Sequence, residues 1–233
     1  MKKMNIRLFK PNLGNEELKN IKDSFDKSWV GLGPKVNEFE KKWAKHVNVK
    51  YAVGLNSATA ALHLSLMLFG FPPRKKVLVP SLTFSSTASA VLYNNLIPVF
   101  VDSDPITLNI CLDDLNAKYD KDCVAVMPVH YSGHPAKMDK IIPWAKDRKL
   151  KVIEDCAHTT GSLYKGKSLG TWGDIGCYSF EEKKLMTTGD GGMICSMDKK
   201  ILKDIEYRYV VIANYLGSYI ASQLPNVLTE PIF

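Results

Sequence analysis

The chain has 233 residues, 45% of them hydrophobic and 24% charged, with a formal net charge of +7. That is enough polymer to bury a sizeable core, and too apolar a composition to remain unfolded. The positive charge comes from dispersed lysines such as Lys41, Lys42, Lys75, Lys76, Lys199 and Lys200. No basic stripe with interleaved aromatics is present, so nucleic acid is not an expected partner. Five cysteines (Cys111, Cys123, Cys156, Cys177 and Cys195) include no CxxC pair, which suits a reducing cytoplasm rather than a disulfide framework. No apolar run reaches bilayer length, and the basic start from Met1 to Lys10 leads into no apolar leader, so neither a membrane span nor a signal peptide is expected.

Asn15 to Ser28 carries Leu18, Ile21 and Phe25 at helical spacing, and Lys35 to His46 carries Val36, Phe39 and Trp43, so both segments are predicted amphipathic helices. Tyr51 to Leu55 reads as a short strand. Asn56-Ser57-Ala58-Thr59 then opens a helical run, Ala60 to Phe69. An alternation follows: strand Lys76 to Val79, helix Ser85 to Tyr93, strand Ile97 to Val101, short helix Leu112 to Ala117. It continues with strand Cys123 to Pro128, helix Met138 to Arg148 and strand Lys151 to Glu154. The last two strands, Ile175 to Phe180 and Gly192 to Met197, are joined by a loop rather than a helix. Apolar strands separated by helices predict an α/β fold, a mainly parallel sheet sandwiched by helices.

The chemistry-bearing residues recur where strands end. Ser57-Ala58-Thr59 lies at a helix start, where free N–H groups and the helix dipole favour an anion; a plain N-cap by Asn56 or Ser57 explains it equally. Phe84 stands in a polar loop, either to stack on a flat heterocycle or to staple a helix start. Glu154-Asp155-Cys156-Ala157-His158 closes a buried strand with an acid, which is costly unless partnered. Ser179 ends the next strand and is followed by Glu181-Glu182-Lys183-Lys184 and the small-residue loop Thr187-Thr188-Gly189-Asp190-Gly191-Gly192. A partly desolvated lysine there sheds its proton and forms a Schiff base with a carbonyl. Anion cradle, ring stacker, acid, hydroxyl and lysine at the ends of one parallel sheet are together what pyridoxal phosphate requires. A rival set of His130, His134, Asp155 and His158 has the types to ligate a hydrolytic metal, but leaves the lysine loop unexplained.

These segments carry a resemblance. Gly33-Pro34-Lys35-Val36, Asn56-Ser57-Ala58-Thr59-Ala60-Ala61-Leu62-His63, Val79-Pro80-Ser81-Leu82-Thr83-Phe84, Val101-Asp102, Pro128-Val129-His130, Gly133-His134-Pro135, Glu154-Asp155-Cys156-Ala157-His158 and Thr187-Thr188-Gly189-Asp190-Gly191-Gly192-Met193 follow in order from about Leu13 to Arg208. In them the chain resembles the sugar aminotransferases named after DegT, DnrJ and StrS, within the type I fold of pyridoxal phosphate-dependent transferases. The resemblance implies an enzyme that moves an amino group, from glutamate, to a keto group of a nucleotide-linked sugar in amino-sugar or surface-polysaccharide biosynthesis. It also implies a cytoplasmic homodimer.

By the same resemblance, Ala58, Thr59 and Ser179 bind the cofactor phosphate, Phe84 stacks on the pyridine and Asp155 pairs with its nitrogen. His158 lies near the phenolic oxygen, and Lys184 rather than Lys183 is the Schiff-base lysine. Related sugar dehydratases carry histidine at that last position, so Lys184 favours transamination over dehydration. Two departures stand out: Glu181-Glu182 replaces the His-Gly or His-Pro usual before the lysine, and Leu216 follows Asn214-Tyr215 where the family has Arg. Family members continue into a small C-terminal domain. Residues 1–208 are therefore expected to form the cofactor-binding large domain and 209–233 the start of a C-terminal region. A chain without that domain leaves a second expectation, a non-catalytic remnant that binds cofactor or a partner chain.

Overall fold

Short runs of apolar residues bounded by turns set the architecture. The structure, a computed structural model, describes residues 10–29 and 32–198. In chain order the elements are α1 (Asn15–Asp26), α2 (Pro34–Val47), β1 (Tyr51–Leu55), α3 (Ala58–Phe69), β2 (Lys76–Pro80), α4 (Ser86–Tyr93), β3 (Ile97–Val101) and α5 (Leu112–Lys118). They continue with β4 (Cys123–Val126), α6 (Met138–Asp147), β5 (Lys151–Cys156), β6 (Leu163–Tyr164), β7 (Lys167–Ser168), β8 (Ile175–Ser179) and β9 (Gly192–Ser196). The boundary expected at residue 208 and the 209–233 tail lie outside the described residues.

Seven strands form one sheet in the order β1-β9-β8-β5-β4-β2-β3. β8, β5, β4, β2 and β3 run parallel, while β9 is antiparallel to both of its neighbours. The loop that replaces a helix between β8 and β9 is what turns β9 around, since a short connection cannot make a parallel crossover. As a result the end of β1, the end of β8 and the start of β9 meet at one edge, with Leu55 opposite Gly192 and Gly192 opposite Ser179.

Both faces of the sheet are covered, as its continuous apolar strands require. α3 and α4 bury Leu62, Leu66 and Val91 against Val77, Val79, Ile153 and Cys177 on one face. α5 and α6 bury Leu115, Met138 and Ile141 against Leu78, Val126 and Val152 on the other. Trp43 and Val47 of α2 pack there with Tyr178, Phe180 and Met193. Each fully buried aliphatic or aromatic side chain contributes about 1.5–3 kcal/mol.

Two details depart from the sequence expectation. β5 runs to Cys156, two residues beyond Glu154, so Asp155 lies inside the strand rather than capping its end. A two-stranded hairpin, β6–β7, was not expected; Lys165 and Gly166 turn it with φ of +48° and +78°. That pair of positive φ values usually selects Asn-Gly or Asp-Gly, and Lys-Gly hides the signal.

Candidate active site

Period-two geometry sends the two consecutive acids of β5 to opposite faces of the sheet. Glu154 is fully buried, and its carboxylate is saturated. Oε1 accepts from the Trp172 and Gly173 N–H groups at 2.7 Å each, and Oε2 from Gly170 N–H at 2.9 Å and His130 Nε2 at 3.0 Å. The Ala136 N–H donates to His130 Nδ1 at 3.1 Å, so Nε2 carries the imidazole proton and donates to Glu154. This is a structural clamp on the segment entering β8.

Asp155, on the α3–α4 face, is built differently. It is 4% exposed and accepts two hydrogen bonds, from Ala157 N–H at 3.1 Å and Thr87 Oγ1 at 2.9 Å. Thr87 has one hydroxyl proton and gives it to Asp155. The 2.7 Å contact between Thr83 and Thr87 oxygens therefore has Thr83 as donor. Among the described residues no cation lies within ion-pair distance of Asp155. A buried carboxylate with two donors and no positive partner calls for a cationic ligand.

A cleft of about 470 Å³ is lined by Lys10, Ser132, His158, Glu182, Lys183 and Lys184 among others. His158 stands at its rim, and its ring meets Tyr131 edge-on at 6.5 Å. Desolvation by the surrounding protein, then the Lys184 ammonium, hold the His158 pKa below the ordinary 6.5, while Asp155 pulls it the other way. Lys184 and Asp155 therefore both reach His158 electrostatically.

The anion cradle assembles at the common strand edge. Ser57 caps α3, its Oγ accepting from Ala60 N–H at 3.2 Å. The cap leaves the first N–H groups of the helix, those of Ala58 and Thr59, without intrahelical acceptors. No acidic residue in the first turn offsets the helix dipole. Gly192 is what lets this helix start approach the sheet: a Cβ there would meet the Ser57 carbonyl at 2.3 Å and the Ala58 nitrogen at 2.7 Å. Gly192 also pairs with Ser179, so the Ser179 hydroxyl belongs to the same corner. Ser179 Oγ accepts a long 3.4 Å contact from Glu181 N–H, which leaves its own proton to donate. Phe84, in the loop between β2 and α4, is 75% exposed.

Lys184 and His158 thus line one cleft, Asp155 lies within electrostatic reach of His158, and Gly192 brings the Ala58–Thr59 helix start beside Ser179. The rival metal set does not assemble. Among the described residues the metal-type grouping is His130, Glu154 and Cys156, without His134, Asp155 or His158, and both His130 nitrogens and both Glu154 oxygens are already engaged. Thr87 escaped the sequence reading. Its signal was the i, i+4 spacing from Thr83 at a helix start directly after a strand.

The α/β architecture is that of the large domain of type I pyridoxal phosphate-dependent transferases. The model of the DegT/DnrJ/EryC1/StrS aminotransferase family matches residues 11–215, and the chain belongs to that family, whose cofactor is pyridoxal phosphate. A GDP-perosamine synthase of Escherichia coli O157:H7 is 40% identical over 197 residues, 84% of this chain and 54% of the relative. Among solved structures, the aminotransferase TlmJ from Streptoalloteichus hindustanus superposes with a TM-score of 0.83 at 35% identity, covering 86% of this chain and 56% of that one. An E. coli GDP-4-keto-6-deoxy-D-mannose-3-dehydratase with bound hydrated PLP gives 0.81 at 27% identity, covering 84% and 52%. The chain spans about half the length of the relatives it matches. Among the described residues no helix is long and apolar enough to cross a membrane.

Proposed function

We propose that this chain is the cofactor-binding part of an aminotransferase that carries an amino group from glutamate to a keto group of a nucleotide-linked sugar, as a cytoplasmic homodimer. The observation that carries the reading is Asp155, a buried carboxylate with no ion-pair partner among the described residues, within electrostatic reach of His158, which lines a cleft together with Lys184. Bound in that cleft, pyridoxal phosphate would supply an aldehyde to hold an amine and a protonated ring to draw electrons from the adjoining carbon. Asp155 would partner the ring nitrogen, and Thr87, which donates to Asp155, would keep the carboxylate aimed. The Ala58 and Thr59 N–H groups and the Ser179 hydroxyl bind the phosphate. Phe84 covers the ring from solvent. Lys184 would be the amine that holds the cofactor aldehyde and, when free, the base that moves a proton. His158, whose pKa desolvation holds below the ordinary 6.5, would offer the cofactor a neutral hydrogen-bond partner. The cationic lining from Lys10, Lys183 and Lys184 suits a diphosphate-bearing substrate.

Lysine at position 184 favours this reading over dehydration. The test is absorbance of the purified full chain with pyridoxal phosphate, before and after glutamate. A visible band that shifts with glutamate is expected, and Lys184→Ala should lack it. Asp155→Asn should weaken cofactor binding by about ten- to a hundredfold, the factor for a charge-assisted hydrogen bond. A wild-type chain with no band, or a band that survives Lys184→Ala, overturns the assignment. A band that ignores glutamate supports instead a chain that binds cofactor without turning it over.

A further inference from the structure

Two consecutive lysines face one cleft, and something must decide which of them meets the cofactor. We infer that Glu181 makes that choice; the inference rests on the cofactor reading above. Glu181 follows Phe180, whose N–H and C=O are held by Gly191 and Thr188, so its backbone starts from a fixed point. Three hydrogen bonds then radiate from Glu181. Its N–H reaches Ser179 Oγ at 3.4 Å, its C=O accepts from Lys184 N–H at 2.9 Å, and its side-chain Oε2 accepts from Lys183 N–H at 3.1 Å.

The carbonyl bond closes a single turn with Lys184 as its fourth residue. The side-chain bond caps the same turn from within and satisfies the Lys183 N–H that the turn leaves open. The Lys183 and Lys184 backbones are therefore both held by Glu181, while their side chains differ in burial. Lys184 is the half-buried one, whereas Lys183 keeps 59% of its side chain exposed and lies 3.9 Å from the Glu182 carboxylate. Glu181 is thus a positioning residue: it is not among the residues that line the cleft, but it ties the Ser179 hydroxyl to the Lys184 backbone. Without the Oε2 cap the turn loses one of its two internal bonds, and the neighbouring lysine gains access.

The experiment is borohydride trapping of the full chain with pyridoxal phosphate, followed by peptide mass mapping. The chosen amine joins the aldehyde carbon with loss of water; borohydride then delivers hydride to that carbon and solvent a proton to the nitrogen, so the adduct is fixed where it formed. In the wild type the label is expected on Lys184. In Glu181→Ala the ratio of Lys183 to Lys184 label should rise by about fivefold, the factor for one net hydrogen bond. Glu181→Gln keeps an oxygen that accepts the same N–H and should restore the wild-type ratio, while thermal melting confirms that all three chains fold. A Glu181→Ala ratio equal to wild type overturns the inference, as does a Glu181→Gln ratio that follows Glu181→Ala. If the wild type labels neither lysine, the cofactor reading itself has failed.

Discussion

Adjacent acids in β5 have the same charge and nearly the same burial, yet their surroundings assign them opposite duties. Glu154 is satisfied by four N–H donors and asks for nothing more; Asp155 has only a hydroxyl and an amide. The Thr83–Thr87–Asp155 chain is directional, so replacing its middle member removes a donor from a buried carboxylate and strands the hydroxyl behind it. Thr87→Val, which keeps the shape, should destabilise the fold by about 1–3 kcal/mol and weaken pyridoxal phosphate binding in parallel. Thr87→Ser should recover most of both. Urea denaturation and cofactor titration measure the two effects, and a Thr87→Val chain as stable as Thr87→Ser would remove the chain's claimed role. The resemblance named Asp155 for the ring nitrogen, but the sequence did not show what holds it: two acids in a row look alike until the pleat separates them, and the Thr87 hydroxyl comes from a helix 68 residues away.

At the scale of elements, the corner shared by β1, α3, β8 and β9 depends on one missing side chain. Gly192→Ala places a methyl on the Ser57–Ala58 backbone, which cannot rotate out of the way. Overpacking of this kind costs about 1–3 kcal/mol, and here the strain falls on the start of α3. The expected outcome is lower stability by urea denaturation with a still larger loss of phosphate-bearing ligand. Gly189→Ala, where a Cβ meets nothing within 4 Å but φ is +89°, should cost stability with less effect on binding. Equal losses of binding in the two variants would contradict the proposed cradle. The glycines were legible as a loop of small residues. Their reason was not, because a close approach between strand and helix start exists only once β9 has docked between β1 and β8. The strands themselves were readable because apolar runs bounded by turns have few alternatives. The β6–β7 hairpin was hidden by its two-residue strands and its Lys-Gly turn.

Across the whole molecule, pH should act in two separable windows. His63 and His158 both have pKa values held below the ordinary 6.5, first of all by desolvation. The native state resists their protonation more than the unfolded chain does. Their contribution is therefore complete above pH 6.5 and is lost as pH falls through the lower native values. Several carboxylates shift the same way; Asp104, which accepts from the Thr107 and Ile106 N–H groups, is lowered to about 2. Their contribution is present above the carboxylate range and is lost only in stronger acid. Melting temperatures between pH 7 and 5 should decline gently in the wild type and less in a His63→Gln/His158→Gln double variant. The steep fall below about pH 4 should be common to both. An unchanged slope between pH 7 and 5 would assign that decline to other groups.

The lateral order of the sheet has a consequence for how the protein is made. β1 emerges early from the ribosome but pairs with β9, the last strand described, and the start of α3 leans on the same late strand. A nascent chain that stops short of Ser196 thus holds an orphan first strand and an unfinished phosphate corner, whatever else has condensed. Vitamin B6 capture must wait for that final ladder to close, and long-range closure is the slow kind. Cofactor supply during synthesis should therefore leave the earliest steps of folding untouched and act by locking the finished corner.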